Sequence, residues 1–405
     1  MIRAALVGVS GYGRWHLLMA MEQVILGRMT LLGATVINRR EQAGVCRRLE
    51  RMGVPVFDTF EQMMEALAGR VDLVLLPVGL PWHARMAIAA LRAGAHVLVE
   101  KPLAPTLAEA DAIMAAQAGS GRLVAVGFQD LYVPATHDIK RRLIQGEIGT
   151  LRAVVVRGQW PRSSAYFERN NWAGRLRVND TWVLDSPVNN AYAHFLMLAL
   201  FWAGSTREAA AEITHLEAEL YRVGPIESFD TVCFRAGTAA GGDILFYGTH
   251  AGSENLAPEI DLIGDRGAIR WRYEQAYTVT RNGEADLVLP VPDQLDTRLS
   301  VLDAVLDRLE GRAVRVVEPA LAREHTRVVN ALHQFFPIHS VDAACVRQDE
   351  QADGVHRRIR DVDAVIARCA GRRELFSEGA APWAVGPAGR QSLSGYESFA
   401  GCLTV

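Results

Sequence analysis

Cysteine is scarce in this 405-residue chain: Cys46, Cys233, Cys345, Cys369 and Cys402 are odd in number and far apart. They build neither a disulfide framework nor a zinc-type spacing, which favours a reducing compartment, and the chain is expected to be cytoplasmic. Long apolar runs are missing too; none reaches the roughly 18 residues that span a bilayer. The apolar start, Met1 to Gly8, lacks a charged n-region and a small-residue cleavage site and runs into a glycine cluster, so it reads as a strand and not as a signal peptide. There is no basic excess: net charge is −3 with Lys and Arg spread along the chain, which argues against a nucleic-acid binder. No metal is expected, because His137 and Asp138 are adjacent and not helix-spaced, while His333 and His339 have no partnering acid at a useful offset. No serine sits in a nucleophile-elbow context, and no internal repeat is visible.

Half the residues are hydrophobic and 22% charged, enough for large buried cores in a chain too long for one compact domain. The first third alternates short apolar runs (residues 2–8, 31–37, 72–76, 96–99, 123–127) with helix-period stretches (12–26, 42–52, 81–93, 107–118). That rhythm predicts a parallel sheet covered on both faces, with ligands at the carboxyl ends of its strands. After about residue 150 the strands (151–156, 213–222, 229–236, 243–250, 260–264, 268–273) follow one another without helices, the pattern of an antiparallel sheet. Helices are expected at 190–202, 295–310 and 321–335, and one more at 355–369 before a Gly-, Pro- and Ser-rich tail. The expected class is α/β plus α+β, with domains at 1–127 and 128–340 and a C-terminal helix and tail at 341–405.

Gly8-Val9-Ser10-Gly11-Tyr12-Gly13 lies between the first strand and the first helix. Glycines there let the backbone approach a pyrophosphate seated on the helix N-terminus, although Ser10 holds the usual second glycine position. At the end of the second strand, where an acid would bind the ribose hydroxyls of NAD, stand Asn38, Arg39 and Arg40. Two cations and no acid suit a ribose 2′-phosphate and lean the reading to NADP; a solvated helix start is the alternative. Pro77 closes the third strand and His83 opens the next helix, while Glu100-Lys101-Pro102 closes the fourth strand. A lysine at that edge can hold a substrate hydroxyl and, when partly buried, exchange its proton. The segment from Trp160 to Arg175 is rich in Arg, Asn, Tyr and Trp without apolar periodicity. It reads either as a sugar-binding lining, with Arg162, Tyr166, Asn171, Trp172 and Arg175 as contacts, or as a surface loop or oligomer contact. Asp185 follows it closely.

The glycine turn, Pro77 and His83, the run Ala93-Gly94-x-His96-Val97-x-x-Glu100-Lys101-Pro102-Leu103-Ala104 and Val126-Gly127-Phe128-Gln129 together resemble the Gfo/Idh/MocA oxidoreductases, over about residues 1–340. The resemblance implies an N-terminal Rossmann domain, then an α+β domain with a large open antiparallel sheet. It implies a nicotinamide cofactor, NADP or NAD, and a sugar, inositol or related polyol as substrate. Lys101 matches the family's lysine; Glu100 and Gln129 join Pro77, His83 and the glycine turn as expected cofactor neighbours. The family's second catalytic residue is the His of an Asp-x-Gly-x-His-x-x-Asp pattern, and here His194 stands in it while Asn190, Tyr192 and Met197 replace Asp, Gly and Asp. Asn190 can hydrogen-bond a hydroxyl but cannot act as a carboxylate base, which leaves His194 as the proton-transfer candidate with Lys101 assisting. The altered pattern keeps open a redox-neutral, glycoside-cleaving enzyme, and a non-catalytic dinucleotide-binding regulator is the reading outside enzymes. An open sheet of this size needs cover, so a homodimer or homotetramer is expected.

Overall fold

The computed structural model describes residues 1–386 and 389–403. The chain divides into two compact units, Met1–Val133 with Gln294–Arg323, and Pro134–Asp293 with the residues from Glu324 onward. This division differs from boundaries at 127 and 340, since residues 294–323 join the first unit and the segment after 340 joins the second.

The first unit starts with β1 (Ile2–Val7), α1 (Gly13–Ile25), β2 (Met29–Thr35) and α2 (Ala43–Arg51). A two-residue β3 (Val56–Phe57) and a short α3 (Phe60–Ala66) follow; neither is legible as apolar rhythm, and α3 is announced only by Thr59, whose side chain accepts from the Gln62 amide at 3.2 Å. Then come β4 (Leu73–Leu76), α4 (His83–Arg92), β5 (His96–Val99), α5 (Leu107–Ser120) and β6 (Val124–Val126). The strands form one parallel sheet in the order β3-β2-β1-β4-β5-β6. Its centre is apolar on both faces, with Leu6, Leu75 and Leu98 wholly buried, as helices on both sides require. The order reverses beside β1, so the carboxyl ends of β1 and β4 lie side by side at the switch point where such sheets take ligands.

The second unit opens with α6 (Pro134–Ile144), β7 (Leu151–Gln159), α7 (Ser164–Glu168), a small hairpin of β8 (Arg177–Val178) and β9 (Thr181–Trp182), and α8 (Ala193–Ala203). Next are β10 (Ile213–Arg222), β11 (Thr231–Thr238), β12 (Asp243–Thr249), β13 (Leu256–Gly264), β14 (Gly267–Arg272), β15 (Ala276–Arg281) and β16 (Leu287–Pro290). Helix α9 (Gln294–Leu309) belongs to the first unit, where Gln23 donates to Asp303 at 2.8 Å and the Arg28 guanidinium pairs with Asp307 at 2.5 Å. Farther along the same return segment, Val317 accepts from the Val126 amide at 2.8 Å and so extends the edge of β6. The chain ends with α10 (Pro319–Phe335), β17 (Ile338–Ser340), β18 (Val346–Gln351), β19 (Gly354–Ile359), α11 (Val362–Arg372) and β20 (Arg390–Ser392).

The large sheet runs β16-β15-β14-β13-β7-β12-β11-β10-β17, with β20 added on β10. Most pairs are antiparallel, as expected, but β7 pairs β12 and β10 pairs β17 in parallel, so the sheet is mixed. The helix expected over 355–369 is two elements, β19 and α11, separated by Asp361 with φ of 60°. Val355, Ile359, Val362 and Ile366 imitate a helical stripe because the strand's last apolar residue lies one helical turn before α11's first.

Side chains alternate between the two faces of β7 and β12. Helix α8 packs on one face. On the other, Val155, Leu245 and Tyr247 meet Val362, Ile366, Cys369, Phe376 and Trp383, all buried. The face that was expected to need a second subunit is thus covered over these strands by the chain's own residues 341–383, and the argument for an oligomer from bare sheet surface does not hold there. At the other end of α8, the buried Lys140 ammonium donates to the backbone carbonyls of Phe201, Gly204 and Ala209, a charge-assisted cap on the helix's negative end. No helix among the described residues is long and apolar enough to cross a membrane.

Candidate active site

In the first unit, the glycine turn is shaped by close approach. Gly8 has φ of 91°, and a Cβ on Gly13 would lie 2.6 Å from the Gly8 carbonyl oxygen, so the start of α1 can press on β1 only without a side chain. Tyr12 takes the N-cap position of α1 with no side-chain cap, and the amides of Gly13, Arg14 and Trp15 turn back onto the carbonyls of Ser10, Gly11 and Tyr12 at 2.9, 3.4 and 2.9 Å. A Cβ at Gly11 would meet open space, so the backbone of the turn is open to the approach of a phosphate group. The Tyr12 hydroxyl donates to Gln129 at 2.7 Å, tying the turn to the loop after β6, and burial raises its pKa, so it stays protonated. Arg298, from α9, lies 4.1 Å over the Trp15 ring and 5.8 Å from that of Tyr12.

Glu100 is the hub of the adjoining edge. Its buried carboxylate meets His16 Nε2 at 2.8 Å through one oxygen and accepts the Lys101 amide at 3.1 Å through the other. A Cβ at position 127 would come within 2.6 Å of that carboxylate, which explains the glycine there. The Lys101–Pro102 peptide is cis. Lys101 itself is partly exposed at the carboxyl end of β5, on the edge that carries Gly8 and Pro77. His83, expected beside the cofactor, is wholly buried, with its ring nitrogens on the carbonyls of Pro102 at 2.8 Å and Val78 at 3.1 Å. Burial lowers its pKa and keeps it neutral, so it donates to only one of these carbonyls; the shorter contact, to Pro102, ties it to the Lys101–Pro102 turn.

At the end of β2, Asn38 donates to Glu41 at 2.9 Å. Arg39 is held by the Val56 carbonyl and an ion pair with Asp58 at 2.6 Å, whereas Arg40 is exposed. Ile37, passed over in the sequence, is 86% exposed beside them, an apolar surface suited to a flat ring.

In the second unit the structure gathers four of the expected residues. Asn190 Nδ2 donates to Asp185 at 2.9 Å and lies 3.5 Å from the Tyr166 hydroxyl, and Arg162 sits 4.6 Å over the Tyr166 ring. Asp185 is buried and also accepts the Gly174 amide at 2.6 Å, which fixes the loop after α7. Burial raises the pKa of Tyr166, so it too presents a proton. His194 lies in the first turn of α8, partly exposed, four residues beyond Asn190. Arg175 is exposed and paired with Glu227 at 2.6 Å, while Trp172 stacks under Arg169 at 5.2 Å and Asn171 is exposed, so these three stand apart from the Tyr166–Asp185–Asn190 group. Sequence reasoning missed the stack behind it, in which Tyr192 lies between Trp160 at 5.2 Å and His250 at 5.3 Å, because these rings come from three separate elements.

Comparison with known proteins adds an independent line. Residues 2–128 match the family described as "Oxidoreductase family, NAD-binding Rossmann fold", GFO_IDH_MocA. The chain is 28% identical over 148 residues to scyllo-inositol 2-dehydrogenase (NAD(+)) of Bacillus subtilis, covering 36% of this chain and 42% of that protein. It is 29% identical over 222 residues to 4-carboxy-2-hydroxymuconate-6-semialdehyde dehydrogenase of a Sphingobium species, covering 54% and 64%. These matches therefore span less than two thirds of either relative. A levoglucosan dehydrogenase structure in complex with NADH and levoglucosan superposes with a TM-score of 0.67 at 19% identity, over 82% of this chain and 95% of that one, a likeness of fold. Residues 2–128 thus carry the NAD-binding Rossmann fold of the Gfo/Idh/MocA oxidoreductase family.

Proposed function

We propose that the protein is a nicotinamide-dependent oxidoreductase acting on a sugar, cyclitol or sugar-derived polyol. The observation that carries this reading is the single sheet edge on which the glycine turn, Pro77 and Lys101 stand, with Lys101 fixed through Glu100, His16 and His83. A nicotinamide dinucleotide, when bound, supplies the hydride acceptor or donor. The Gly8–Gly13 turn and Tyr12 hold its pyrophosphate. The Lys101 ammonium donates to the substrate hydroxyl and stabilises its oxygen, and the family resemblance makes His194 the candidate to take the proton. Asn190, Asp185 and Tyr166 orient neighbouring hydroxyls. The relatives' names, an inositol dehydrogenase and a levoglucosan dehydrogenase, support the substrate class. Incubation with dinucleotide and a panel of sugars and cyclitols should give net cofactor reduction with at least one of them. Dinucleotide binding without hydride transfer to or from any member refutes the enzyme reading.

For the cofactor we lean to NADP. Asn38 removes the acid that would repel a 2′-phosphate, and with Arg39 already held by Asp58, the contact falls to exposed Arg40. A partly exposed charge-assisted contact is worth about 1.5 kcal/mol, roughly tenfold in affinity. NADP should bind tighter than NAD by that factor, the margin should shrink as salt rises, and Arg40→Ala should remove it. Calorimetric titration decides, and equal or tighter binding of NAD to the unaltered chain overturns the lean.

A further inference from the structure

The second unit contains a cavity of about 350 Å³ that adjoins the Tyr166–Asp185–Asn190 group and shares Arg162 with it, roofed by α7 and the loop after it, walled by the β10–β11 turn and closed by β19. Two guanidinium groups line it without a carboxylate partner among the described residues. Arg162 lies across the rings of Tyr166 and Trp160 at 4.6 and 5.8 Å and its buried Nε has no acceptor. Arg357 reaches the cavity from β19, with no ion pair. Two further groups have their polarity fixed from outside. Asn170 Oδ1 accepts the amides of Trp172 and Ala173 at 3.0 and 2.8 Å, which leaves its Nδ2 as a donor. His250 Nδ1 meets the Trp160 carbonyl at 2.9 Å; a carbonyl only accepts, so Nδ1 carries the proton and Nε2 is left as an acceptor. Burial pushes the His250 pKa down to about 3, so this tautomer persists at neutral pH.

The acids around the cavity limit the charge it can take. Glu227 is satisfied by Arg175 at 2.6 Å, buried Asp230 accepts the Val223 amide at 2.9 Å and the Thr231 hydroxyl at 3.0 Å, and Glu168 is exposed at the rim. Two uncompensated guanidiniums among these carboxylates favour a monoanion, and a dianionic phosphate meets more repulsion. Planar forks match a carboxylate, while a neutral imidazole acceptor and an amide donor match hydroxyls. We propose that this cavity binds a polyhydroxylated carboxylate, a sugar acid, through Arg162 and Arg357 with His250 and Asn170 on its hydroxyls. The volume lies within the range of small-molecule sites.

The test is calorimetric titration of the full chain without added dinucleotide, using D-glucuronate, D-glucose and D-glucose 6-phosphate. Because it reads binding and not turnover, its outcome is independent of whether any sugar is oxidised. D-glucuronate should bind at least about tenfold tighter than either of the others. Arg357→Gln should remove about tenfold or more of that affinity with the melting temperature unchanged, and Arg357→Lys should restore part of it. Arg162→Gln provides a second reading from a different element. Glucose binding as tightly as glucuronate, the sugar phosphate binding tighter, no binding of glucuronate, or unchanged affinity in both Gln variants overturns the proposal.

Discussion

Lys101→Ala should lower turnover on the true substrate by roughly a hundredfold or more, the range for losing a general acid–base group, and leave dinucleotide affinity nearly unchanged. The reasoning starts from what surrounds Lys101. Its amide is bound by Glu100, the following turn is clamped by buried His83, and Glu100 is itself fixed by His16. That framework holds the backbone whatever side chain position 101 carries, so alanine removes the ammonium and little else. Glu100→Gln is the contrasting variant. It weakens the framework and should change both dinucleotide affinity and thermal stability. His194→Ala should match Lys101→Ala in turnover if the two share the proton transfer. Near-normal rates in both single variants would remove these residues from the mechanism.

Phe376→Ala should destabilise the second unit by about 3–5 kcal/mol, the cost of emptying a well-packed aromatic site. Phe376 is fully buried and packs on Trp383 at 4.8 Å, Tyr247 at 6.1 Å and Tyr221 at 6.3 Å, which makes it the joint between the tail and the sheet. Removing everything after Ser340 should do more, because it bares Val155, Leu245 and Tyr247 at once and takes away β20. The shortened chain should precipitate or associate, since a contiguous apolar face of that kind does not stay solvated. Urea unfolding of Phe376→Ala and light scattering of the shortened chain are the measurements. A soluble monomer with unchanged stability after truncation would show that the tail is not part of the sheet's core.

The parts that local pattern controls were legible. The alternation of the first 127 residues, the glycine turn and the placement of Lys101 at a strand end follow from hydrophobic rhythm and glycine chemistry, and the structure places them accordingly. What escaped depends on distant residues. The parallel pairing of β7 with β12 joins segments some 90 positions apart in number, with nothing local to mark it. His16, Glu100 and Gly127 make one cluster from three elements, and no spacing along the chain announces it. The 355–369 stretch misled because a strand's apolar residues kept helical register with the next helix. Arg39 has the look of a phosphate ligand in sequence, but Asp58, nineteen positions later, holds it. Arg162, Tyr166, Asn171, Trp172 and Arg175 were singled out as one group by composition, but α7 divides them between two surroundings.

The return of residues 294–323 to the first unit also bears on how the protein is made. The outer contacts of α1 and the edge of β6 wait for α9 and Val317, so the first unit stays incomplete while all of residues 134–293 leave the ribosome. The second unit waits longer, because the face carrying Leu245 and Tyr247 remains bare until residues 362–383 have been synthesised. Neither unit can finish before the other has begun, and for that interval two apolar surfaces are open together. A nascent chain in that state is the form most exposed to association, and it is there that a folding helper would find its substrate.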